Sequence, residues 1–227
     1  MMLDFIKALS KLLLTSFFLL LISDLMIAQA GAGGAQDAII LDWDKLRSAV
    51  QRYNLKPNED NARAILESIP EKMPDKQVGD DERALDYMLD KSPIIKKQIE
   101  SGNEYLAEAA FRMYFIVLPG DALEELTLML CKMLEKKPEL YLSLLKKYKP
   151  QFPWYLEYPL LMTEFDEKFD AEPDGRIRRD IKIYRRRIKA LETVDCPIYL
   201  DLRNECIKIL EKEISLFESK LKIELTS

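Results

Sequence analysis

The densest run of groups able to do chemistry in this chain lies between Glu164 and Lys189. Its first part is acidic, with Glu164, Asp166, Glu167, Asp170, Glu172 and Asp174; its second, RIRRDIKIYRRRIK, sets eight basic residues against Asp180 alone. Carboxylates at alternate positions ahead of a glycine, as in Asp170, Glu172, Asp174 and Gly175, gather oxygens round a point where a hard cation such as calcium can sit. A helix face carrying Arg178, Arg179, Arg185, Arg186 and Arg187 suits anions: lipid headgroups, acidic cell-wall polymers or the carboxylates of a protein partner. The two runs also neutralise each other, and Ile177, Ile181, Tyr184, Ile188 and Leu191 fall on one helical stripe. A solvated helix face is therefore the first expectation for the run and a partner surface the second.

The 227 residues include no histidine. That excludes Ser-His-Asp and Cys-His nucleophilic arrangements and removes the commonest zinc ligand. Cys131, Cys196 and Cys206 have no CxxC spacing, and at most one intramolecular disulfide can form among them. If Cys196 precedes a helix starting at Pro197, Cys206 lies about 15 Å along its axis, too far to bridge, so a disulfide would have to involve Cys131. No catalytic, cofactor-binding or metal-binding residue is assigned. A net charge of -5, from 34 basic and 39 acidic residues, argues against a general nucleic-acid binder.

Phe165 to Ile181, FDEKFDAEPDGRIRRDI, resembles an EF-hand loop with its entering helix. Asp170, Glu172 and Asp174 take the first three odd ligand positions, Gly175 the sharp turn, Arg176 the carbonyl position and Ile177 the apolar one, while Phe165 and Phe169 suit the entering helix. The resemblance implies calcium binding. It departs from the family where Ile181 replaces the closing bidentate Glu, where Asp180 comes one place early, in Pro173 within the loop, and in the absence of a second loop. Without calcium the same residues make an acidic turn at the start of the next helix. Two shorter patterns bear on catalysis. Ser143-Leu144-Leu145-Lys146 matches the S-x-x-K of some serine acyl-transferring enzymes, without their S-D-N and K-T-G elements. Glu67-Ser68, within AILESIP, is similar to the active-site pair of lytic transglycosylases, where one glutamate serves as acid and base.

The elements that position these residues read as helices. Met1 to Ala30 has the form of a cleavable signal peptide: Lys7 and Lys11 lead into the apolar run Leu12–Ser23, and Ala28-Gln29-Ala30 offers cleavage after Ala30. The run falls short of the ~20 residues needed to cross a bilayer, and Asp24 stops its extension. Residues 31–36, GAGGAQ, form a flexible tether. Residues 37–148 are expected to be a multi-helix core domain, 149–159 a connector rich in proline and aromatic residues, and 160–227 a C-terminal helical subdomain. Trp154, in the connector, is a candidate partner anchor, with packing onto the core as the first expectation; Trp43 lies on a core stripe.

Within the core, Ile39 to Asn54 and Asn58 to Ile69 carry helical apolar spacing, a third helix starts at Asp80 or Asp81 with Leu85, Met88 and Leu89, and Ser92-Pro93 caps a fourth. Asn103 to Leu118 is the most apolar: its charged residues Glu104, Glu108 and Arg112 form one line, so it should be a central helix with neighbours on several sides. Asp121 with Glu124 opens a helix that buries Leu123, Leu126, Leu130 and Met133, with Leu128 and Cys131 on its other side. Glu139 to Tyr148 follows, with Leu140, Leu144, Leu145 and Tyr148 as its stripe. Beyond the connector come Leu160–Phe169, Arg176–Leu191 and Pro197 to Glu224. The last is about 40 Å long and has Ile198, Leu202, Cys206, Ile209, Leu210, Phe217 and Leu221 on one stripe. The fold class is all-α, an irregular helical bundle or, over Asp80 to Tyr148, a stack of helix pairs that resembles a HEAT-type α-solenoid.

The expected role is that of an exported, periplasmic or secreted, non-enzymatic protein that binds or scaffolds a protein or envelope component. It needs no cofactor and no nucleic acid, and touches a membrane only through its signal segment before cleavage. The alternatives are an anion- or calcium-dependent binding module built on residues 170–181 and 176–189, and a carboxylate-dependent cell-wall hydrolase or lyase.

Overall fold

Asp42, Asn58 and Ser92 each turn the chain into a helix by offering a side-chain oxygen to a backbone N–H three residues on, at Lys45, Asn61 and Ile95. In the computed structural model the described residues are 41–71, 92–116, 121–151, 157–164 and 174–224. The signal peptide with Ala28 and Ala30, the tether, the helix expected from Asp80, Trp154, Asp170 and Glu172 lie outside them. Among the described residues every regular element is helical, so the all-α class holds. We label them α1 (Trp43–Leu55), α2 (Glu59–Glu67), α3 (Pro93–Ser101), α4 (Glu104–Ile116), α5 (Asp121–Lys136), α6 (Pro138–Tyr148), α7 (Glu157–Leu161), α8 (Gly175–Glu192) and α9 (Leu200–Glu224), with 3₁₀ turns at Lys149–Gln151 and Pro197–Tyr199. No described helix is long and apolar enough to cross a membrane.

The connectors are short. Gly102, at φ 80°, ends α3 in the left-handed conformation that glycine alone adopts cheaply. A Cβ there would also lie 2.5 Å from Lys137 Cγ, beside the junction of α5 and α6. Asn103 then accepts from Leu106 N at 3.1 Å and starts α4, while Lys137 alone separates α5 from α6, whose first residue is Pro138.

Sequence neighbours pack as pairs: α1 with α2, α3 with α4, α5 with α6, α8 with α9. Between pairs, α4 lies against both α2 and α6, and α5 against both α3 and α8. Helix α4 is buried as its composition demands, with Leu106, Ala107, Ala110, Met113 and Tyr114 closed to water. It shares the centre with α5, which buries Met129, Cys131 and Leu134 as well as Leu126, Leu130 and Met133 and so meets helices on opposite sides, α3 and α4 on one hand and α7 and α8 on the other. Phe111 ties α4 to α6, its ring edge-on to Tyr141 at 5.5 Å and stacked on Tyr148 at 6.4 Å. Loss of such a ring typically costs about 3–5 kcal/mol.

Three expectations are corrected. The helix expected over Leu160–Phe169 is absent across Met162–Glu164, which are not helical. The turn lies earlier, at α7, with Pro159 in its first turn, where a missing N–H costs nothing. The carbonyls of Pro159, Leu160, Leu161 and Met162 accept side-chain donors from α5 and α8 in place of helical N–H groups. Ile198, placed on the buried stripe of the last helix, is 64% exposed, because it sits in the 3₁₀ turn, whose tighter winding rotates it away from Leu202 and Cys206. On α6, Tyr141 and Leu142 are buried while Leu140 is only half-buried, since the helix is covered from more than one direction.

Candidate functional site

Helix α8 carries the candidate partner surface, and the fold takes much of it inward. Arg187 is 3% exposed; Nη1 donates to Leu160 O at 2.5 Å and Nη2 to Met162 O at 2.8 Å, while Nε lies 3.5 Å from Glu135 Oε1. It is therefore not on the surface. It follows the core residues Asp180, Ile181 and Tyr184 at helical spacing, and the five fixed donors of a guanidinium suit carbonyls that no backbone N–H reaches. Arg179 is nearly as covered and pairs with buried Asp180 at 3.1 Å. The remaining arginines are exposed but paired: Arg178 with Asp174 at 3.4 Å, Arg185 with Glu218 at 2.7 Å and Arg186 with Glu135 at 2.7 Å. Such exposed pairs are worth roughly 0–1 kcal/mol each, but they occupy the cations. Asp174 stands at the N-cap of α8 without a side-chain capping bond, and among the described residues no three Cys, Asp or Glu side chains gather as a metal site.

The segment from Pro159 to Met162 is held through its carbonyls. Cys131 Sγ donates to Pro159 O at 2.6 Å and Tyr184 OH to Leu161 O at 2.8 Å, on either side of the first Arg187 bond. Burial pushes the Cys131 thiol up to about 11 and that of Cys206 up to about 12, the reverse of what a nucleophilic cysteine needs. All three cysteines are free.

A second ionic cluster, which sequence reading missed as a cluster, lies among α2, α4 and α6. Glu108 Oε1 accepts from Arg112 Nη2 at 2.8 Å, Lys147 Nζ at 2.9 Å and Tyr148 OH at 2.7 Å. Arg112 also donates from Nε to Tyr148 OH at 2.9 Å and from Nη1 to Ile69 O at 2.9 Å, and Lys147 reaches Glu71 at 3.0 Å. Burial opposes the charge on Glu108, but the Lys147, Arg112 and Tyr148 donors prevail and hold the carboxyl below its ordinary range. Glu71 is lowered as well, by the Lys147 hydrogen bond first. A carboxylate kept ionised in this way is a clamp and a poor general acid. The signal that pointed to it was the i, i+4 pair Glu108 and Arg112 on an otherwise apolar helix; Tyr148 and Lys147 gave none.

The short catalytic patterns do not assemble. Ser143 donates back to Leu140 O at 2.8 Å, and Lys146 reaches away to Ile198 O at 3.1 Å. Glu67 is exposed, and Ser68 is buried with its hydroxyl on Ile65 O at 2.7 Å.

An open cleft of about 490 Å³ is bounded by the end of α1, the starts of α2 and α3 and the start of α4, with Tyr53, Glu59, Ile94, Gln98, Glu104 and Tyr105 among its walls. On one side, Tyr105 OH donates to Glu59 at 3.1 Å and accepts from Arg63 at 2.8 Å, and the guanidinium lies 5.1 Å from the Tyr105 ring centre. Ile94 is 42% exposed. Glu104 and the Gln98 side chain have no hydrogen-bond or ion-pair partner among the described residues. An all-helical protein with an open cleft among the described helices is the class that fold and site define. No protein-family model, curated protein or solved structure matches the chain.

Proposed function

We propose that this chain is an exported, non-enzymatic helical module, periplasmic or secreted and freed of its leader after Ala30, that binds or scaffolds a protein or envelope component. The observation that carries the binding role is the cleft beside Gln98. A volume of about 490 Å³ is within the range of ligand-binding clefts, roughly 300–1,000 Å³. Gln98 and Glu104, whose side chains have no partner among the described residues, line it together with the exposed side chain of Ile94. Elsewhere Ser68, Ser143, Lys146 and the candidate arginines of α8 have partners inside the fold, which supports a binding role over the hydrolase reading and over an anion surface on α8.

The pairing of the helices supports a HEAT-like arrangement. One row runs α2, α4, α6 and another α3, α5, α8, each helix packed on the next in its row, with α3 against α4 and α5 against α6 joining the rows. Stacks of this kind serve chiefly as binding scaffolds.

The test has two parts. Intact-mass analysis of the protein recovered from its own host should give a chain beginning at Gly31; a retained Met1 removes the reading of a module freed of its leader. A photo-crosslinking residue placed at Gln98 should give one discrete adduct in intact cells, and the same residue at Lys208, exposed on α9, should give none. Equal or absent adducts at both positions would remove the cleft as the binding site.

A further inference from the structure

Resting on that reading of the cleft, we infer that its occupant is a polypeptide segment presenting a basic side chain among apolar ones. The walls hold two carboxylates, Glu59 and Glu104, and no lysine or arginine. Their charges are not equivalent. Glu59 is matched by Arg63 at 3.1 Å, and that arginine is itself held against Tyr105. Glu104 is exposed and has no partner among the described residues, so it is the uncompensated charge of the cleft. Position alone accounts for part of this, because an acid in the first turn of α4 is favoured by the helix dipole. The dipole's partial charge does not neutralise a full carboxylate, and a cation brought into the cleft does.

The rest of the cleft fits a chain rather than a free amine. Tyr53, Pro57 and Ile94 give it apolar wall, and Leu55, 87% exposed, stands next to it on the sequence. Asn54 and Ser92 are hydrogen-bonded, which holds the end of α1 beside the start of α3, so Leu55 and Ile94 border the same junction. Gln98, with both a donor and an acceptor free, can pair with a backbone N–H or C=O of a chain lying across the opening. A bare ammonium would use Glu104 and leave these groups idle.

The experiment is a titration of the isotope-labelled, processed protein followed by NMR. The ligands are a short capped peptide of apolar residues round one central arginine, the same peptide with glutamine or glutamate at its centre, and free arginine amide. The arginine peptide should shift the backbone signals of Gln98, Asn103 and Tyr105. It should bind about threefold more weakly to Glu104→Gln, the effect expected of one exposed ion pair, and more weakly still to Glu104→Lys. Binding should also weaken at about 0.5 M salt, where exposed charges are screened over a few ångströms. Glu104 is exposed, so neither variant disturbs the core, and unchanged spectra away from the cleft would verify this. If the glutamine or glutamate peptide binds as well as the arginine peptide, the charge inference falls and the binding module stands. If arginine amide binds as tightly as the peptide, the polypeptide falls as occupant. If nothing moves the cleft signals, both readings fall.

Discussion

Arg112 on α4 and Arg187 on α8 are both drawn into the fold, on different terms. Arg112 belongs to a closed set: a carboxylate four residues back, a tyrosine hydroxyl and the Ile69 carbonyl just past the end of α2, with its side chain 12% exposed. Arg187 is buried more completely, shares Glu135 with Arg186, and gives its fork to two carbonyls 27 and 25 residues away in sequence. The first neutralises a charge beside it; the second replaces the hydrogen bonds of a helix that stops early. A buried arginine can thus complete a backbone as readily as it completes an ion pair.

The comparison can be broken most strongly at Arg187. Replacing it with alanine leaves the Leu160 and Met162 carbonyls without their donor and Glu135 with Arg186 as its remaining cation, and urea unfolding should report a loss of about 3–5 kcal/mol, typical for removal of one member of a buried charged set. Arg187→Lys should recover only part of this, since one ammonium does not span both carbonyls as the planar fork does. Full recovery with lysine would mean that charge alone matters there. Arg112→Ala should cost less, about 2–3 kcal/mol, because its side chain is less completely buried than that of Arg187.

Glu108→Gln should cost about 1–2 kcal/mol at neutral pH and change how stability depends on pH. The native carboxyl lies below its ordinary 4.5, so the unfolded chain takes up a proton first as pH falls. The contribution is complete above that ordinary value and is lost as pH drops through the folded one. Glu71 shifts the same way. The wild-type urea midpoint should therefore fall on acidification below about pH 4.3, and the Glu108→Gln midpoint should fall less; parallel curves would deny the clamp. Lys147 acts at the other end of the scale: its raised pKa, owed first to the Glu108 hydrogen bond, gives a contribution intact at neutral pH and lost only as pH rises through the folded value.

At the exposed end of α8, Arg185→Ala should change stability by less than about 1 kcal/mol, as an exposed pair with Glu218 warrants. The smallest perturbation is chemical. At about pH 8, iodoacetamide should modify Cys196, which is partly exposed, and leave Cys131 and Cys206 intact until urea opens the fold, because burial raises both thiols. Rapid native alkylation of Cys131 would mean that the Pro159 carbonyl is not held as described.

How much of this was legible follows from sequence separation. The caps at Asn58 and Ser92 and the ends of α1, α2 and α6 lie within a few residues of what determines them, and local pattern found them; the start of α1 it set too early, at Ile39, whereas Leu41 and Asp42 are not helical and Asp42 caps a helix that begins at Trp43. The apolar wrap of α4 and the two-sided face of α5 were legible for the same reason. Glu108 with Arg112 was visible as a pair, but Lys147 and Tyr148 join it from about 40 positions on, with no local mark. Arg187 was read as surface because its neighbours are Arg185 and Arg186; its interior position depends on where residues 160–162 lie, which no periodicity encodes. The cleft needs the ends of four helices to meet, and Glu104 and Gln98 look ordinary until they do.

The most direct measurement is side-chain ¹⁵N NMR of the arginines in the native protein at neutral pH, which needs no substitution. Resolved, slowly exchanging guanidinium signals are predicted for Arg112 and Arg187, with averaged, rapidly exchanging ones for Arg178 and Arg185. If the Arg187 signals exchange as fast as those of Arg185, the basic run is a surface after all, and the contrast between the two buried arginines fails.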